Sequence, residues 1–154
     1  MIKGFELPQV LEPQARNRLQ WDAAVEAGFI AGLVLLVLPQ GSPWSALTFF
    51  SPAIPGRPLP VSMAMSLLGV WIIHLLLSVL YGLIISRVVA NLRREKAILT
   101  GGLAGLVLYV LNLGLVSFVW PALRGNEVAV ALAHVVFGLV AAGAYRGLLR
   151  RKLA

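Results

Sequence analysis

The stretch LLGVWIIHLLLSVLYGLIIS, residues 67–86, runs for 20 residues without an aspartate, glutamate, lysine or arginine. An apolar helix of about this length is what the hydrocarbon core of a bilayer requires. Across all 154 residues, 59% are hydrophobic and 12% are charged, whereas a soluble domain is typically about 25% charged. The sequence therefore predicts an integral membrane protein with room for about four spans and no second domain.

Four apolar runs predict an all-α integral membrane fold, a single bundle of four transmembrane helices. Pro39 closes the first run, and the second ends in a basic turn, Asn91–Lys96. The fold is divided into an N-terminal cytoplasmic tail, four spans and a basic cytoplasmic C-terminus, which cover about residues 1–21, 22–38, 63–88, 97–119, 127–149 and 150–154.

Lysine and arginine are distributed unequally between the two sides of the predicted bundle. Eleven lie in the N-terminal tail, around the second loop and at the C-terminus, against only Arg57 and Arg124 in the other two loops. Because cytoplasmic loops carry an excess of lysine and arginine, both termini are predicted to be cytoplasmic. The net charge of +7 then indicates contact with anionic lipid rather than with nucleic acid.

The first outer loop, from Pro39 to Pro60, holds six of the nine prolines. Ser42 followed by Pro43 has the pattern of a helix N-cap with proline at the first helical position. We therefore predict a short interfacial helix in this loop, and a proline-rich spacer is the alternative. The residues predicted to contact a partner or the membrane interface are Trp21, Trp44, Phe49 and Phe50.

Two segments of the chain are similar to each other. AGFIAGLVLLVL (27–38) and TGGLAGLVLYVL (100–111) are identical at eight of twelve positions. The two histidines, His74 and His134, each precede an arginine by twelve or thirteen residues, which places them at similar depth. The pattern predicts two helical hairpins of the same orientation, related by an axis along the membrane normal.

Small residues recur at a spacing of four, which lets helix backbones approach closely in a membrane. Asn112 is predicted to join helices by a hydrogen bond, while Tyr81 and Tyr145 are interpreted as aromatic-belt residues near the cytoplasmic side. The small residues predicted to pack helices are Gly28, Gly32, Ser78, Gly82, Gly101, Gly105, Gly138, Ala142, Gly143 and Gly147.

His74 and His134 admit three interpretations. They can donate hydrogen bonds between helices, to Asn112, a serine or a backbone carbonyl. They can be the axial ligands of a b-type haem in an electron-transfer protein. They can belong to a small-solute or proton transporter, although no acid is predicted near the middle of the membrane. We favour the first interpretation, with bound lipid and no cofactor or metal.

Catalytic patterns are missing from the sequence. There is no cysteine, no serine-histidine-acid set, no phosphate-binding loop and no carboxylate pair, so an enzyme is not expected. We expect instead a small subunit that stabilises a larger membrane complex, such as a respiratory one. Association with further copies of the same chain is an alternative.

Three further motifs carry a resemblance. HLLLSVLYG (74–82), the loop patterns SPW (42–44) and PGRPLP (55–60), and AHVVFGLVAAGAYRGLLR (133–150) resemble short proteobacterial four-span proteins that are often mislabelled sodium:proline symporters. The chain is more distantly similar to YagU-like proteins. This resemblance implies a four-helix protein of the bacterial inner membrane without an established activity, so it assigns no catalytic residues.

Overall fold

The computed structural model describes residues 19–37, 63–119 and 127–153, and within these ranges it is helical without any strand. The all-α prediction is confirmed for this part of the chain. None of these helices has a distinct polar face, as is usual for helices in lipid or in a protein interior. The helices are α1 (Trp21–Val37), α2 (Met63–Val89), α3 (Arg94–Val119) and α4 (Glu127–Leu153).

Three of the helices are long and apolar enough to cross a membrane. Their apolar stretches are Trp71–Val89 in α2, Arg94–Phe118 in α3 and Glu127–Arg151 in α4. By length and composition these helices make the chain a membrane protein. The 17 residues of α1 extend about 26 Å at 1.5 Å per residue, slightly less than the roughly 30 Å of a bilayer core.

Two helix ends lie outside the bounds that hydropathy suggests. α3 begins at Arg94, three residues before the predicted start of its span, and α4 continues through the basic residues to Leu153. At the end of α4 the charges fit, because its arginines lie at the negative end of the helix dipole. A prediction from apolar content alone therefore makes both helices too short.

The turn between α2 and α3 is compact. The amide of Leu92 donates to the carbonyl of Val89 over 3.0 Å, and the amide of Ala97 donates to the carbonyl of Arg93 over 2.7 Å. The first bond tightens the end of α2 and the second opens α3, as terminal helix groups require. Only four residues separate the two helices.

The core of the bundle is built largely from small side chains. α1 packs mainly against α2 and α4, and α3 packs mainly against α4. Because alanine keeps the distance between helices short, the faces of α1, α2 and α4 approach closely. The core residues with no more than 1% exposure are Ala23, Ala24, Ala27, Ala31, Ile85, Val89, Ala97, Ala141, Ala142 and Tyr145.

Large apolar side chains cover the outside of α1, α2 and α3. Among the described residues, only Val128 and Leu132 represent α4 in this set, both near its beginning. α4 is therefore the most enclosed helix, and the other three present the surface that meets lipid or another protein.

The predicted interfacial helix, with Trp44, Phe49 and Phe50, lies outside the described residues. Trp21 is described. It opens α1 and is 66% exposed.

Candidate functional site

His74 lies on α2 and contacts α1. Its Nε2 is 3.1 Å from the carbonyl oxygen of Gly32, and since a carbonyl only accepts, this nitrogen carries the proton. The absence of a side chain on Gly32 makes room for the contact, because a Cβ there would lie 2.6 Å from the Cβ of Ser78. His74 therefore donates a hydrogen bond between helices α1 and α2.

His134 lies on α4, and both of its ring nitrogens are hydrogen-bonded. Nδ1 is 2.8 Å from the carbonyl oxygen of Val130, one turn earlier on the same helix. Nε2 is 2.9 Å from Nδ2 of Asn112 on α3. The carbonyl requires a proton on Nδ1, and the amide N–H requires a lone pair on Nε2. The imidazole is therefore neutral, in the Nδ1–H tautomer.

Asn112 joins three helices. Its Nδ2 donates to His134 on α4, while its Oδ1 accepts a hydrogen bond from the hydroxyl of Tyr81 on α2. The ring of Tyr81 also meets that of Phe137 edge to face, with centroids 6.4 Å apart. Within a membrane such side-chain bonds hold helices together because lipid offers polar groups no other partners.

Tyr109 encloses His134 from the other side. Its ring meets the imidazole edge to face at 5.8 Å between centroids. Its hydroxyl donates to Oε2 of Glu127 over 3.1 Å. Glu127 begins α4, where the positive end of the helix dipole favours a carboxylate. These contacts fix the first turns of α4 against α3.

We call Tyr81, Tyr109, Asn112, Glu127 and His134 the polar cluster. Its bonds run from a tyrosine hydroxyl through an amide to an imidazole and end on a backbone carbonyl. An amide N–H donates a hydrogen bond without giving up its proton, and a carbonyl has no proton to give. The geometry therefore suits the joining of three helices, and it is poorly suited to passing protons along a chain.

The two histidines proposed as haem ligands face different helices in the described structure. His74 faces Gly32 on α1, whereas His134 faces Asn112 on α3. Iron ligation through the Nε2 atoms of both would break each of these bonds. In the described part of the chain, no group of three histidine or acidic side chains is placed to hold a metal ion.

The predicted small residues lie at two helix contacts. In the first, a Cβ on Gly28 would lie 2.7 Å from the carbonyl oxygen of Ser78, and Gly82 sits directly against the backbone of Gly28. Real Cβ atoms essentially never come so close. The backbones of α1 and α2 thus meet without intervening side chains.

The second contact joins α3 and α4 in the same way. A Cβ on Gly101 would lie 2.5 Å from the Cβ of Ala142, and one on Gly105 would strike the carbonyl oxygen of His134. Gly138 lies between them against both glycines of α3.

Gly143 and Gly147 differ from the other predicted packing positions. A Cβ on either would meet nothing within 4 Å, so neither is placed at a close helix contact in the described structure.

Tyr145 corrects the aromatic-belt interpretation. It is 1% exposed, and its hydroxyl accepts a hydrogen bond from the amide of Gln20 at 3.4 Å. Tyr81, which belongs to the polar cluster, also lies inside the bundle. Position near the cytoplasmic side suggested a belt, but the hydroxyl of Tyr81 donates to Asn112 on α3 and that of Tyr145 accepts from Gln20, just before α1.

Two further interior features carry no clear sequence signal. The guanidinium of Arg146 donates to the carbonyl of Ala90 over 3.2 Å, which satisfies the end of α2 from α4. Ser86 is fully buried, and its hydroxyl has no hydrogen-bond partner in the described structure. An arginine near a basic tail is usually assigned to solvent or lipid headgroups, which hides the first of these contacts.

A scan against protein-family models and searches of curated proteins and of solved structures found no match to the chain. The resemblance to short proteobacterial four-span proteins stays a prediction.

Proposed function

We propose that the chain is a four-span protein of the bacterial inner membrane that works by packing, as a stabilising subunit of a larger membrane complex. The observation that carries this proposal is the contrast between interior and exterior. The polar cluster and His74 bond to other helices or to the main chain, while large apolar side chains cover α1, α2 and α3. An apolar exterior of this kind suits contact with lipid or with another membrane protein.

Two antiparallel hairpins of the same orientation account best for the contacts. Gly28 meets Gly82, and Gly32, further along α1, meets the earlier residue Ser78, so α1 and α2 run in opposite directions. Gly101 and Gly105 meet α4 in the same reversed order. α2 and α4 run parallel, because Tyr81 contacts Phe137 and Ala90 contacts Arg146. An internal duplication explains this correspondence.

Four crossings follow from that arrangement. α1 lies along α2, from the level of Gly82 to that of His74, within the apolar stretch Trp71–Val89. A helix paired in this way shares the bilayer with its partner, and the amide of Gln20, directly before α1, donates to Tyr145 near the C-terminal end of α4. We therefore infer that α1 also spans.

The basic residues support cytoplasmic termini. The bond between Arg146 and Ala90 brings the last turns of α4 beside the α2–α3 turn. Arg93 lies in that turn and Arg94 begins α3, while α4 ends in Arg150 and further basic residues. One end of the bundle thus gathers the positive charge, which by the positive-inside rule is the cytoplasmic end.

A transporter or a haem protein is less well supported. Transport would use the polar cluster, whose hydrogen bonds close on an amide and a backbone carbonyl. Electron transfer through haem would use His74 and His134, which face different helices. Both alternatives require the observed bonds to break, whereas a packing role uses them as they stand.

Purification from native membranes tests the proposal. The protein, tagged at its C-terminus and extracted in a mild detergent, is expected to migrate on a native gel with larger subunits in a fixed ratio. Deleting its gene should lower the melting temperature of that complex, since a subunit that binds the folded form stabilises it. Migration as a monomer or homodimer, with no other complex changed by the deletion, would contradict the proposed role.

A further inference from the structure

The outer face of α1 carries one ionisable residue among large apolar ones. Along α1, pairs of buried residues alternate with pairs of exposed residues, so one side of the helix faces the bundle and the other faces away. We define the α1 outer face as Val25, Glu26, Phe29, Ile30, Leu33 and Val34, all of which are exposed. Glu26 is the exception in this set, because its side chain can ionise.

Glu26 lies well inside the apolar zone. A Cβ on Gly82 would lie 3.4 Å from the carbonyl oxygen of Ala24 and would also strike Gly28, so Glu26 is at the level of Gly82. That glycine precedes Arg87 by five residues, which is about 8 Å along a helix. The backbone of Glu26 is therefore more than one helical turn from the level of Arg87.

The described structure gives Glu26 neither a hydrogen bond nor an ion pair. Acidic side chains within membrane helices are costly, and they almost always face the bundle interior or a partner. Among the described residues Glu26 does neither, since it lies on the exposed side of α1. Its placement calls for a counter-charge from outside.

The second half of the chain supplies the comparison. The offset that aligns residues 27–38 with residues 100–111 places Leu99 opposite Glu26 and Leu103 opposite Ile30. Leu99 is 69% exposed and Leu103 is 65% exposed, and Leu106 and Val107, one turn further along α3, are exposed and apolar as well. At equivalent positions of the repeat, α3 thus exposes leucine, which suits lipid, whereas α1 exposes a glutamate.

We propose that the α1 outer face docks against a transmembrane helix of another protein, and that this helix presents a lysine or arginine at the level of Gly82. The inference rests on the proposed function and names the surface through which the subunit binds. Charge complementarity selects the occupant, because a cation paired with Glu26 removes the cost of an isolated carboxylate in lipid. Trp21, 66% exposed one turn earlier, extends the contact with a side chain that is frequent at binding hot spots.

A second copy of the chain fits this face less well. A two-fold contact through α1 is self-complementary and would set the two Glu26 carboxylates against each other. Of the exposed basic residues that the structure describes, Arg87 is nearest in depth, and it lies about 8 Å closer to the cytoplasmic end. A different protein with its lysine or arginine at the depth of Glu26 avoids both the facing carboxylates and the difference in depth.

Photo-crosslinking in native membranes tests the inference. p-Benzoylphenylalanine replaces Ile30 in one variant and Leu103 in the matched control. The first is expected to give a protein adduct, and the crosslinked peptide should be an apolar segment with a lysine or arginine within one turn of the attachment point. The control should give lipid adducts alone.

The charge of Glu26 decides the result. E26Q should lower the yield of the Ile30 adduct roughly tenfold or more, and E26D should retain most of it, because removing one partner of a desolvated charge pair weakens binding strongly. E26K should abolish the adduct, and exchange of the partner's cation for glutamate should restore it. Glu26 is exposed, and the melting temperature of each variant confirms that it is folded.

Three outcomes would overturn the inference: an Ile30 adduct unchanged by E26Q, an adduct to a second copy, or one to residues 1–18 of the same chain. If the native complex persists in any of these cases, the stabilising role stands and only the docking surface is wrong. If the chain migrates alone and both positions label lipid only, the proposed function fails as well.

Discussion

The amide of Asn112 donates to Nε2 of His134 over 2.9 Å, and this bond joins α3 to α4 at the centre of the polar cluster. Both side chains make a further hydrogen bond. Asn112 also accepts from Tyr81, and His134 also donates to Val130. Loss of the amide therefore leaves two polar groups without their partners inside the bundle.

Replacing Asn112 with leucine is expected to destabilise the folded bundle by about 1–2 kcal/mol, the range of interhelical hydrogen bonds and their unpaired remnants in membranes. Unfolding of the purified protein in detergent measures the loss. Asn91→Leu, in the exposed α2–α3 turn, is the control and should have little effect. A double-mutant cycle of N112L with H134L should return a coupling of roughly 0.6 kcal/mol or more, and additivity would disprove the link.

The histidines are expected to occupy opposite tautomers. His134 holds its proton on Nδ1, which donates to Val130, whereas His74 holds one on Nε2, which donates to Gly32. Nitrogen-15 NMR of histidine-labelled protein distinguishes protonated from bare ring nitrogens, and H74Q and H134Q assign the signals. Identical tautomers, or b-type haem bands in a reduced-minus-oxidised spectrum, would contradict the hydrogen bonds described.

Gly105 and Gly114 provide a matched pair on α3. A Cβ on Gly105 would strike the carbonyl of His134, while one on Gly114 would meet nothing within 4 Å. G105A is expected to destabilise the bundle by roughly 1–3 kcal/mol through overpacking. G114A should be neutral or slightly stabilising, because alanine favours helix over glycine. Melting temperatures in one detergent compare the two, and equal shifts would show that the close contact is absent.

Arg146 is expected to hold the α2–α3 turn in place. Arg146→Met removes the donor to the carbonyl of Ala90, so trypsin should cut at Arg93 and Arg94 faster than in the wild type. Arg150→Met is the control, since Arg150 is exposed at the end of α4. The rates are read from the appearance of the two half-molecules on a gel, and equal rates in both variants would count against the bond.

The side on which the turn lies can be measured directly because the chain contains no cysteine. Asn91→Cys adds one exposed thiol in the α2–α3 turn. A membrane-impermeant maleimide should label it in inverted vesicles and leave it unlabelled in intact cells, as the positive-inside rule predicts. Labelling in intact cells would reverse the proposed orientation.

The helical fold was largely predictable because lipid restricts the possibilities. Hydropathy located all four helices, and the charged residues at the start of α3 and at the end of α4, which an apolar run leaves out, account for the shifts in their bounds. Asn112 was expected to join helices by hydrogen bonding, and small residues four apart were expected to pack.

The contact partners of individual side chains were harder to predict than the positions of the helices along the sequence. No pattern in a single sequence shows that Arg146 reaches Ala90, or that Tyr145 is buried against Gln20, because such contacts depend on how separate helices are rotated. The same reason explains Gly143 and Gly147, which share the spacing of the packing glycines but meet nothing nearby. Spacing identifies a face of a helix, and only the assembled bundle shows which faces meet.

Where main chain touches main chain, as at Gly28 with Gly82 and at Gly105 with Gly138, no rotamer can absorb a change in volume. A compensating change on the opposite helix is also impossible, since glycine has nothing left to remove. Descendants of this chain are therefore expected to drift freely along their lipid-facing rows while these two seams stay fixed. These two glycine pairs would then be the positions from which the sequences of remote descendants can be aligned.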